Sequence, residues 1–438
     1  TENQPDFTWL MPYEEKRFTQ YFMPYQEVGI VKNASKDLVL NIDKNSDGSV
    51  WIKLYATSKQ LVHVVLKNDN GTIYYEHEAM LSPEQLLIEE HIDVKGAPLS
   101  ALTLSANNLQ WHAEADEIKP IPDPAEAALT PKDTKTNDQL FLTGLHLEQY
   151  RHATWSPMDY YEEALRRDPD DYRCLNQIGL WWLRHGRFDK AEPYLHHAQR
   201  VLYKRNPNPY DGEPLYNLAL CLKYQGRNNE AYEWFWKAAW SYAWRSAALY
   251  QAACISTAEG RYDDALEEVE GSLACNIHNH KSIALKATIL RMMGHNDEAL
   301  EVCRKSKAID LFNYGCRYEE YLLTGSKAAI DELTDIMHQQ SNNYDELALD
   351  YLACGQRDTA NDVWRLAIQQ NAATAMTYYY MADYNMAMKA DISYCFPNRL
   401  EDIIALKAAI DDNPSDGKAH YLLGTLYYGA RQYDAARE

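Results

Sequence analysis

An internal repeat governs the second half of the chain. Gly226, Gly260 and Gly294 follow one another at intervals of 34 residues, and an alanine stands five positions after each of them. A period of this length accommodates one pair of helices, whose small residues allow the two helices to approach closely. A single pair cannot bury its apolar face alone, so successive pairs must stack side by side. The repeat therefore predicts an extended helical solenoid rather than one compact core.

The residues around these positions indicate the type of repeat. Gly179 and Trp182 fit the first helix of the tetratricopeptide repeat (TPR), and Gly186 fits its turn. The helical pattern extends over residues 137–438 and gives about eight hairpins. The last hairpin is truncated at Glu438, without the polar capping repeat that usually ends a solenoid, so we expect the chain to be part of a longer protein.

The first part of the chain has the sequence pattern of β-strands. Short runs of β-branched and aromatic residues alternate with turn sequences such as NSDG at 45–48 and NDNG at 68–71. This pattern predicts a small antiparallel β-sandwich of the immunoglobulin or fibronectin type over residues 36–118. Its candidate strands are residues 37–43, 50–57, 61–67, 72–80, 85–92, 100–106 and 109–115. The predicted fold class is therefore mostly α, a TPR-type α-solenoid preceded by a small antiparallel β-sandwich.

Two further segments flank this sandwich. Residues 1–35 contain two similar aromatic–proline segments, which fit either edge strands of the sandwich or the tail of another domain upstream. Residues 119–136 contain four prolines, whose spacing blocks a regular helix or a central strand. We expect this second segment to be a semi-extended linker.

Charge and composition argue against several classes of function. The formal net charge is −21 and the chain has no Lys/Arg-rich run, so we expect no nucleic-acid partner. No apolar stretch approaches the roughly 18 residues of a membrane span, so we expect no membrane insertion. No signal peptide is visible, and the eight cysteines lie in helical patterns without a CxxC pair, which favours a cytoplasmic location. We expect no metal and no cofactor, because neither clustered metal ligands nor a phosphate-binding loop is present.

The concave face of the array is the expected binding surface. The first helices of a TPR solenoid line this face, and two loops interrupt the repeat here. These positions carry both charge signs together with Tyr, Asn and Gln, which suits a polar ligand such as a sugar better than a peptide carboxylate. The alternative is a solvated groove without a ligand. The candidate residues are Glu148, Gln149, Arg151, His152, Arg173, Asn176, Arg184, Tyr210, Asp211, Glu213, Tyr216, Asn217, Lys223 and Tyr250.

A run of large aromatic residues lies at the end of one second helix and in the loop after it. Its members are Trp234, Phe235, Trp236, Trp240, Tyr242 and Trp244. Their helical spacing predicts a core between repeats. The alternative is a platform that stacks on a sugar or docks another domain.

Three segments of the chain resemble a family of bacterial TPR proteins of unassigned function. They are residues 18–25 (FTQYFMPY), 142–154 (LTGLHLEQYRHAT) and 206–214 (NPNPYDGEP). The resemblance implies a galactose-mutarotase-like supersandwich at the N-terminus, followed by a small β-sandwich and a TPR array. It also implies a relation to carbohydrates, because that supersandwich fold commonly handles them. It carries no catalytic residue over to this chain, since fold likeness is a weak argument for function.

Three functions are compatible with these observations. The leading one is a TPR scaffold that binds a ligand or partner within a larger bacterial carbohydrate-related protein, with no catalysis by this chain alone. The second is a glycoside hydrolase completed by an upstream supersandwich. It predicts a carboxylate pair facing one cavity, either Glu148 with Glu213 or one of them with a partner from the upstream domain. The third is a protein–protein adaptor, which predicts an open groove with an apolar strip. The expected partner is therefore another protein domain or a carbohydrate.

Overall fold

The chain forms two compact units, an all-β unit within Thr1–Ala125 and a helical unit within Glu126–Glu438. The computed structural model describes residues 17–113, 127–150, 154–204 and 206–438. The aromatic–proline segment at residues 9–13 lies outside these ranges, as do residues 119–126 of the predicted linker. Within the described residues, the segment 17–32 carries no regular element before the first strand.

The β unit contains eight strands in its described residues. They are β1 (Asn33–Ala34), β2 (Leu38–Lys44), β3 (Val50–Ala56), β4 (Gln60–Asn68), β5 (Ile73–Leu81), β6 (Leu87–Ile92), β7 (Leu102–Ala106) and β8 (Leu109–His112). One antiparallel sheet has the order β1-β2-β3-β6, and the other has the order β5-β4-β7-β8. The seven longer strands lie where the alternating sequence pattern predicted them.

Alternation of apolar and polar residues explains the core of the β unit. In β4, Val62, Val64 and Leu66 are fully buried, while His63 between them is exposed. Successive side chains of a strand point to opposite faces, so one face of β4 is buried in the core and the other is more exposed. Strands of both sheets contribute such residues to one hydrophobic cluster.

The helical unit contains eighteen α-helices in its described part. They are α1 (Asn137–Gln149), α2 (Pro157–Arg167), α3 (Tyr172–Arg184), α4 (Phe188–Tyr203), α5 (Glu213–Tyr224), α6 (Asn228–Ala238), α7 (Tyr242–Ala258), α8 (Tyr262–Cys275), α9 (His280–Met292), α10 (Asn296–Ile309), α11 (Tyr314–Thr324), α12 (Lys327–Met337), α13 (Ser341–Ala353), α14 (Arg357–Gln369), α15 (Ala375–Tyr380), α16 (Tyr384–Lys389), α17 (Leu400–Asp412) and α18 (Gly417–Gly429). Helices α1 to α14 pair consecutively into hairpins, one for each repeat.

Steric demands explain the residues that define the repeat. A Cβ on Gly179 of α3 would lie 2.6 Å from Cγ of Leu195 in α4, so only glycine allows these two helices to approach as they do. At the hairpin turns, Gly226 and Gly260 have φ angles of 77° and 74°. Glycine adopts this left-handed conformation without the steric conflict that a Cβ would bring. The periodic glycines are therefore dictated by packing and by turn geometry.

The repeat changes after α14. Helices α15 and α16 have six residues each, and Ala382 rather than glycine occupies the turn between them with a φ of 58°. The segment 390–399 then leads to α17, which packs against both α15 and α18. The longer α17 thus takes the place of a second helix beside α15.

Helix α17 also returns to the beginning of the array. Its Ile403 lies so close to the α3–α4 turn that a Cβ on Gly186 would overlap the Cδ1 atom of this isoleucine. Tyr224 of α5 donates its phenolic hydrogen to Oε1 of Glu401 at 3.0 Å, across 177 positions of the chain. The solenoid is therefore closed on itself through contacts between α17 and the second and third repeats.

The described half of the predicted linker belongs to the helical unit. Arg167 of α2 donates to the carbonyl oxygens of Thr134 at 2.7 Å and of Pro131 at 3.1 Å. Because these carbonyls accept from Arg167, the described part of the segment, residues 127–136, contacts α2 of the helical unit. Residues 119–126 lie outside the described residues.

Candidate ligand-binding cavity

The first helices of several repeats and the start of α17 enclose a polar cavity of about 630 Å³, which we call the interior cavity. Helices α5, α7, α9 and α13 supply most of its wall. The lining residues are Leu220, Lys223, Tyr224, Gly226, Asn228, Tyr250, Gln251, Lys281, Glu346, Leu349, Asp350, Leu352, Ala353, Arg399, Glu401 and Ile404.

Two ion pairs join the helices around the interior cavity. Nζ of Lys281 lies 2.6 Å from Oδ1 of Asp350, which connects α9 to α13. Nε of Arg399 lies 2.6 Å from Oε1 of Glu346, which connects the start of α17 to α13. Burial lowers the pKa of Lys281, but the Asp350 carboxylate outweighs this effect, so the pKa is raised. The same balance, with Glu346 as the partner, raises the pKa of Arg399, and both groups stay cationic.

Two other charged groups of the interior cavity have no ionic partner among the described residues. Lys223 donates to Oε1 of Gln251 at 2.7 Å but forms no salt bridge with a described carboxylate. Glu401 accepts the phenolic hydrogen of Tyr224 but forms no salt bridge with a described cation. A half-buried charge gains from an added partner, so these groups can recognise a ligand.

The tyrosines of the interior cavity are neutral hydrogen-bonding groups. Burial raises the pKa of Tyr250 well above its ordinary value, and the buried Cys254 behind it adds to this effect. Burial, together with the negative charge of Glu401, also raises the pKa of Tyr224. Both phenols therefore keep their hydrogens at neutral pH and can donate or accept.

Of the predicted candidates, Lys223 and Tyr250 line the interior cavity. Asn176, Glu213 and Asn217 lie together in a hydrogen-bonded chain that joins α3 to α5. Asn217 donates to Oδ1 of Asn176 at 2.9 Å, and Asn176 donates to Oε1 of Glu213 at 3.1 Å. Burial raises the pKa of Glu213. These amides hold neighbouring first helices in register.

Three predicted candidates, Glu148, Arg173 and Arg184, form ion pairs between or within repeats. Glu148 of α1 accepts from Arg184 of α3 at 2.9 Å and from the phenol of Tyr161 at 3.2 Å. Arg173 lies 3.0 Å from Asp171, the residue that caps the N-terminus of α3. These contacts fix the first two repeats against each other.

Three predicted candidates lie in the loop before α5 or on α5 itself. Tyr210 is 97% exposed. Asp211 accepts a hydrogen bond from the backbone nitrogen of Glu213 at 3.0 Å, which begins α5. The ring of Tyr216 packs against that of Trp244 with 4.9 Å between centroids.

The last three candidates are Gln149, Arg151 and His152. Gln149 is exposed in the last turn of α1. Arg151 and His152 lie outside the described residues.

The structure adds charged residues that the sequence analysis did not single out: Lys281, Glu346, Asp350, Arg399 and Glu401. The first three lie on first helices, so applying the same positional rule to the later repeats would have found them. The last two lie at the start of α17, outside the regular repeat. Only the return of α17 brings them into the cavity.

Two family models match parts of the chain. The second domain of YphG-like proteins matches residues 33–110, which contain the strands. The fifth ARM repeats domain of TT21 matches residues 141–256, which contain the first helical repeats. The chain is thus a TPR-like helical repeat protein with a two-sheet antiparallel β unit before the repeats. Such repeats typically serve as scaffolds for protein interaction.

Solved structures resemble the helical repeats with low sequence identity. A tetratricopeptide repeat protein from Parabacteroides merdae ATCC 43184 is 16% identical, and the alignment covers 56% of this chain and 97% of that one with a TM-score of 0.42. MamA from Desulfovibrio magneticus RS-1 is 18% identical over 46% of this chain and 96% of that one, with a TM-score of 0.27. A monomeric IFIT1 mutant with the RNA cap compound m7Gppp-AAAA is 15% identical over 69% of this chain and 70% of that one, with a TM-score of 0.34.

The described residues lack two other kinds of feature. None of the described helices combines the length and the apolar character needed to cross a membrane. The same residues contain no group of three or more His, Cys, Asp or Glu side chains arranged to hold a metal ion.

Proposed function

We propose that the helical unit is the ligand- and partner-binding scaffold of a larger bacterial carbohydrate-related protein, and that the interior cavity holds a small sugar. The observation that carries this proposal is the convergence of charged, amide and phenolic groups on one concave space of about 630 Å³. A volume of this size suits a small ligand. Since α17 closes the array, this face is better suited to such a ligand than to a long peptide lying along an open groove.

The charges of the interior cavity favour a neutral polar ligand. Its cations are Lys223, Lys281 and Arg399, and its anions are Glu346, Asp350 and Glu401. Equal numbers of each sign give no advantage to a polyanion or a polycation. A sugar hydroxyl both donates and accepts hydrogen bonds, so one ligand can accept from Lys223 and donate to Glu401.

The sequence resemblance supports the assignment to carbohydrates. It relates the chain to TPR proteins that carry a galactose-mutarotase-like supersandwich, and the family model that matches residues 33–110 is that of a second domain. We propose that a supersandwich precedes the β unit in the full-length protein. The interior cavity would then bind a sugar that this domain also handles.

The hydrolase alternative has less support from the geometry. The Glu148 carboxylate accepts from Arg184, and the Glu213 carboxylate accepts from Asn176. Each carboxylate thus joins neighbouring first helices. We therefore assign Glu148 and Glu213 to the packing of repeats and not to catalysis.

A glycan array probed with the chain, followed by calorimetric titration of the strongest glycan, tests the proposal. Lys223→Met keeps the length of the side chain and removes its charge, and Glu401→Gln keeps an acceptor for Tyr224. A hydrogen bond to a charged group contributes about 1.5–3 kcal/mol, so each variant should bind at least about tenfold more weakly.

Lys305→Met provides the matched control, because Lys305 is an exposed residue on α10, 3.5 Å from Glu301 and outside the interior cavity. It should leave the affinity unchanged. Equal affinity of the wild type and both cavity variants would place the sugar elsewhere. Failure of every glycan to bind the chain and the full-length protein would refute the carbohydrate assignment.

A further inference from the structure

A second concave surface lies between α6 and α8, the second helices of consecutive repeats. Its volume is about 500 Å³. Trp236 and Trp240 form one side, and Gly271 and Ala274 of α8 form the other. We call this surface the tryptophan groove. It is distinct from the interior cavity, which is lined mainly by first helices.

Large aromatic side chains remain exposed at the tryptophan groove. Trp240 is 62% exposed and Trp236 is 38% exposed, whereas Phe235, the residue before Trp236, is fully buried in the core. Tyr242, just beyond the groove, is 70% exposed. Exposed tryptophans that line a concave surface are typical of interaction sites, where this residue contributes much of the binding energy.

Hydrogen bonding and small residues give the tryptophan groove a defined shape. Nε1 of Trp236 donates to Oε1 of Glu268 at 2.9 Å, which fixes the orientation of the indole. Across the groove, Gly271 and Ala274 have no large side chain to fill the space. An apolar side chain of a partner can therefore insert between the indoles and α8.

Two cations lie at the rim of the tryptophan groove. Nζ of Lys237 lies 5.8 Å from the ring centroid of Trp240. Arg245 donates from Nε to the carbonyl oxygen of Ala239 at 2.9 Å, which leaves the other guanidinium hydrogens for a partner. Neither cation forms a salt bridge with a carboxylate in the described ranges. An anionic group of a partner can therefore pair with these cations beside the apolar surface of the groove.

We propose that the tryptophan groove docks an acidic peptide segment of a protein partner. A Trp, Phe or Leu of that segment inserts between the two indoles and α8. An adjacent Asp or Glu pairs with Lys237 and Arg245. Charge complementarity selects this partner, because an uncharged sugar would stack on the indoles but leave both cations unpaired.

Selection of peptides from a random phage-displayed library on the intact chain tests this assignment. The enriched sequences should carry an aromatic residue or leucine next to Asp or Glu. The strongest peptide, labelled with fluorescein, should bind at least about tenfold more weakly to Trp240→Ala in a fluorescence anisotropy titration. Lys237→Glu should also weaken binding and reduce its dependence on salt concentration.

Two exposed residues elsewhere provide matched controls. Tyr394→Ala removes an exposed aromatic ring, and Lys305→Glu reverses an exposed charge; both should leave peptide affinity unchanged. Circular dichroism of every variant checks that the fold is retained. The proposal is overturned if no peptide is enriched, if basic or uncharged peptides are enriched, or if Trp240→Ala binds as the wild type does. Self-association in sedimentation velocity that Trp240→Ala abolishes would replace the peptide with a second copy of this chain.

Discussion

The closure of the array by α17 can be tested by substituting one glycine, Gly186, and measuring the free energy of unfolding. Gly186 lies in the α3–α4 turn with a φ of 70°, and its added Cβ would overlap Cδ1 of Ile403. Gly260 lies in the equivalent α7–α8 turn with a φ of 74°, and nothing lies within 4 Å of its added Cβ. The backbone strain of an alanine is thus matched at the two positions, and only Gly186→Ala adds a collision with α17.

The expected magnitudes follow from these two terms. An alanine at a left-handed φ costs about 1–2 kcal/mol, which is the full effect expected for Gly260→Ala. Overpacking costs a further ~1–3 kcal/mol. Gly186→Ala should therefore lower the free energy of unfolding by about 2–5 kcal/mol, because Ile403 is almost completely buried and has little room to move.

A double-mutant cycle separates the collision from the backbone strain. Ile403→Val removes the Cδ1 atom that the alanine would strike, at a cost of about 0.5–1.5 kcal/mol. In that background, Gly186→Ala should cost no more than Gly260→Ala does. Urea denaturation followed by far-UV circular dichroism gives the four free energies of unfolding. If Gly186→Ala and Gly260→Ala are equally destabilising in both backgrounds, Ile403 does not pack on this turn and the described closure is wrong.

Two further predictions concern buried carboxyl groups. Glu319 is fully buried and accepts from Nε of Arg291 at 2.6 Å, so Glu319→Gln should lower the free energy of unfolding by about 3 kcal/mol in urea denaturation. Burial raises the pKa of Asp345 to about 7, against the opposing charge of Arg399, so the folded chain keeps a proton that the unfolded chain releases. Stability should therefore fall as the pH rises from about 4 to about 7, and Asp345→Asn should flatten this part of the pH profile.

Exposed carboxylates supply the controls for these two variants. Glu301→Gln, at a half-exposed surface pair, should change stability by less than about 0.5 kcal/mol. A Glu319→Gln effect of the same size would show that its buried contacts contribute little. Asp331→Asn, also at a half-exposed pair, should keep the wild-type pH profile. Persistence of the fall in Asp345→Asn would assign the titration to another group.

The strands and hairpins were predictable because local physical rules determine them. Residues 61–67 are rich in β-branched and aliphatic residues, and β4 (Gln60–Asn68) buries every second one of them from Val62 to Leu66. The glycine period located most hairpin turns, since a left-handed φ is required there. The α11–α12 repeat was harder to place because its turn glycine, Gly325, comes three residues earlier than the period requires.

The site was only partly predictable because its wall combines local and distant residues. Lys223 and Tyr250 occupy first-helix positions, which the repeat specifies. Arg399 and Glu401 follow an irregular segment, and no periodicity relates them to α5. Their place in the cavity depends on tertiary contacts such as the one between Tyr224 and Glu401, which spans 177 positions.

The aromatic run shows a different limit of sequence analysis. Helical spacing alone predicted a core, and it does place Phe235 there. It leaves open how much of Trp240 the neighbouring helix covers, because that depends on the residues of α8 opposite. Gly271 and Ala274 are too small to cover the indole, so the groove results from residues distant in sequence from the aromatic run.

Closure and ligand binding are thermodynamically linked in this arrangement. Arg399 and Glu401 belong to the cavity only while α17 rests on the early repeats. A ligand that contacts these residues binds the closed array better than an open one and must therefore stabilise closure by the same free energy. An alanine at position 186 would collide with Ile403 and would therefore destabilise the closed array. The glycine substitutions test how α17 packs on the early repeats. The glycan titration tests the groups that α17 contributes to the cavity.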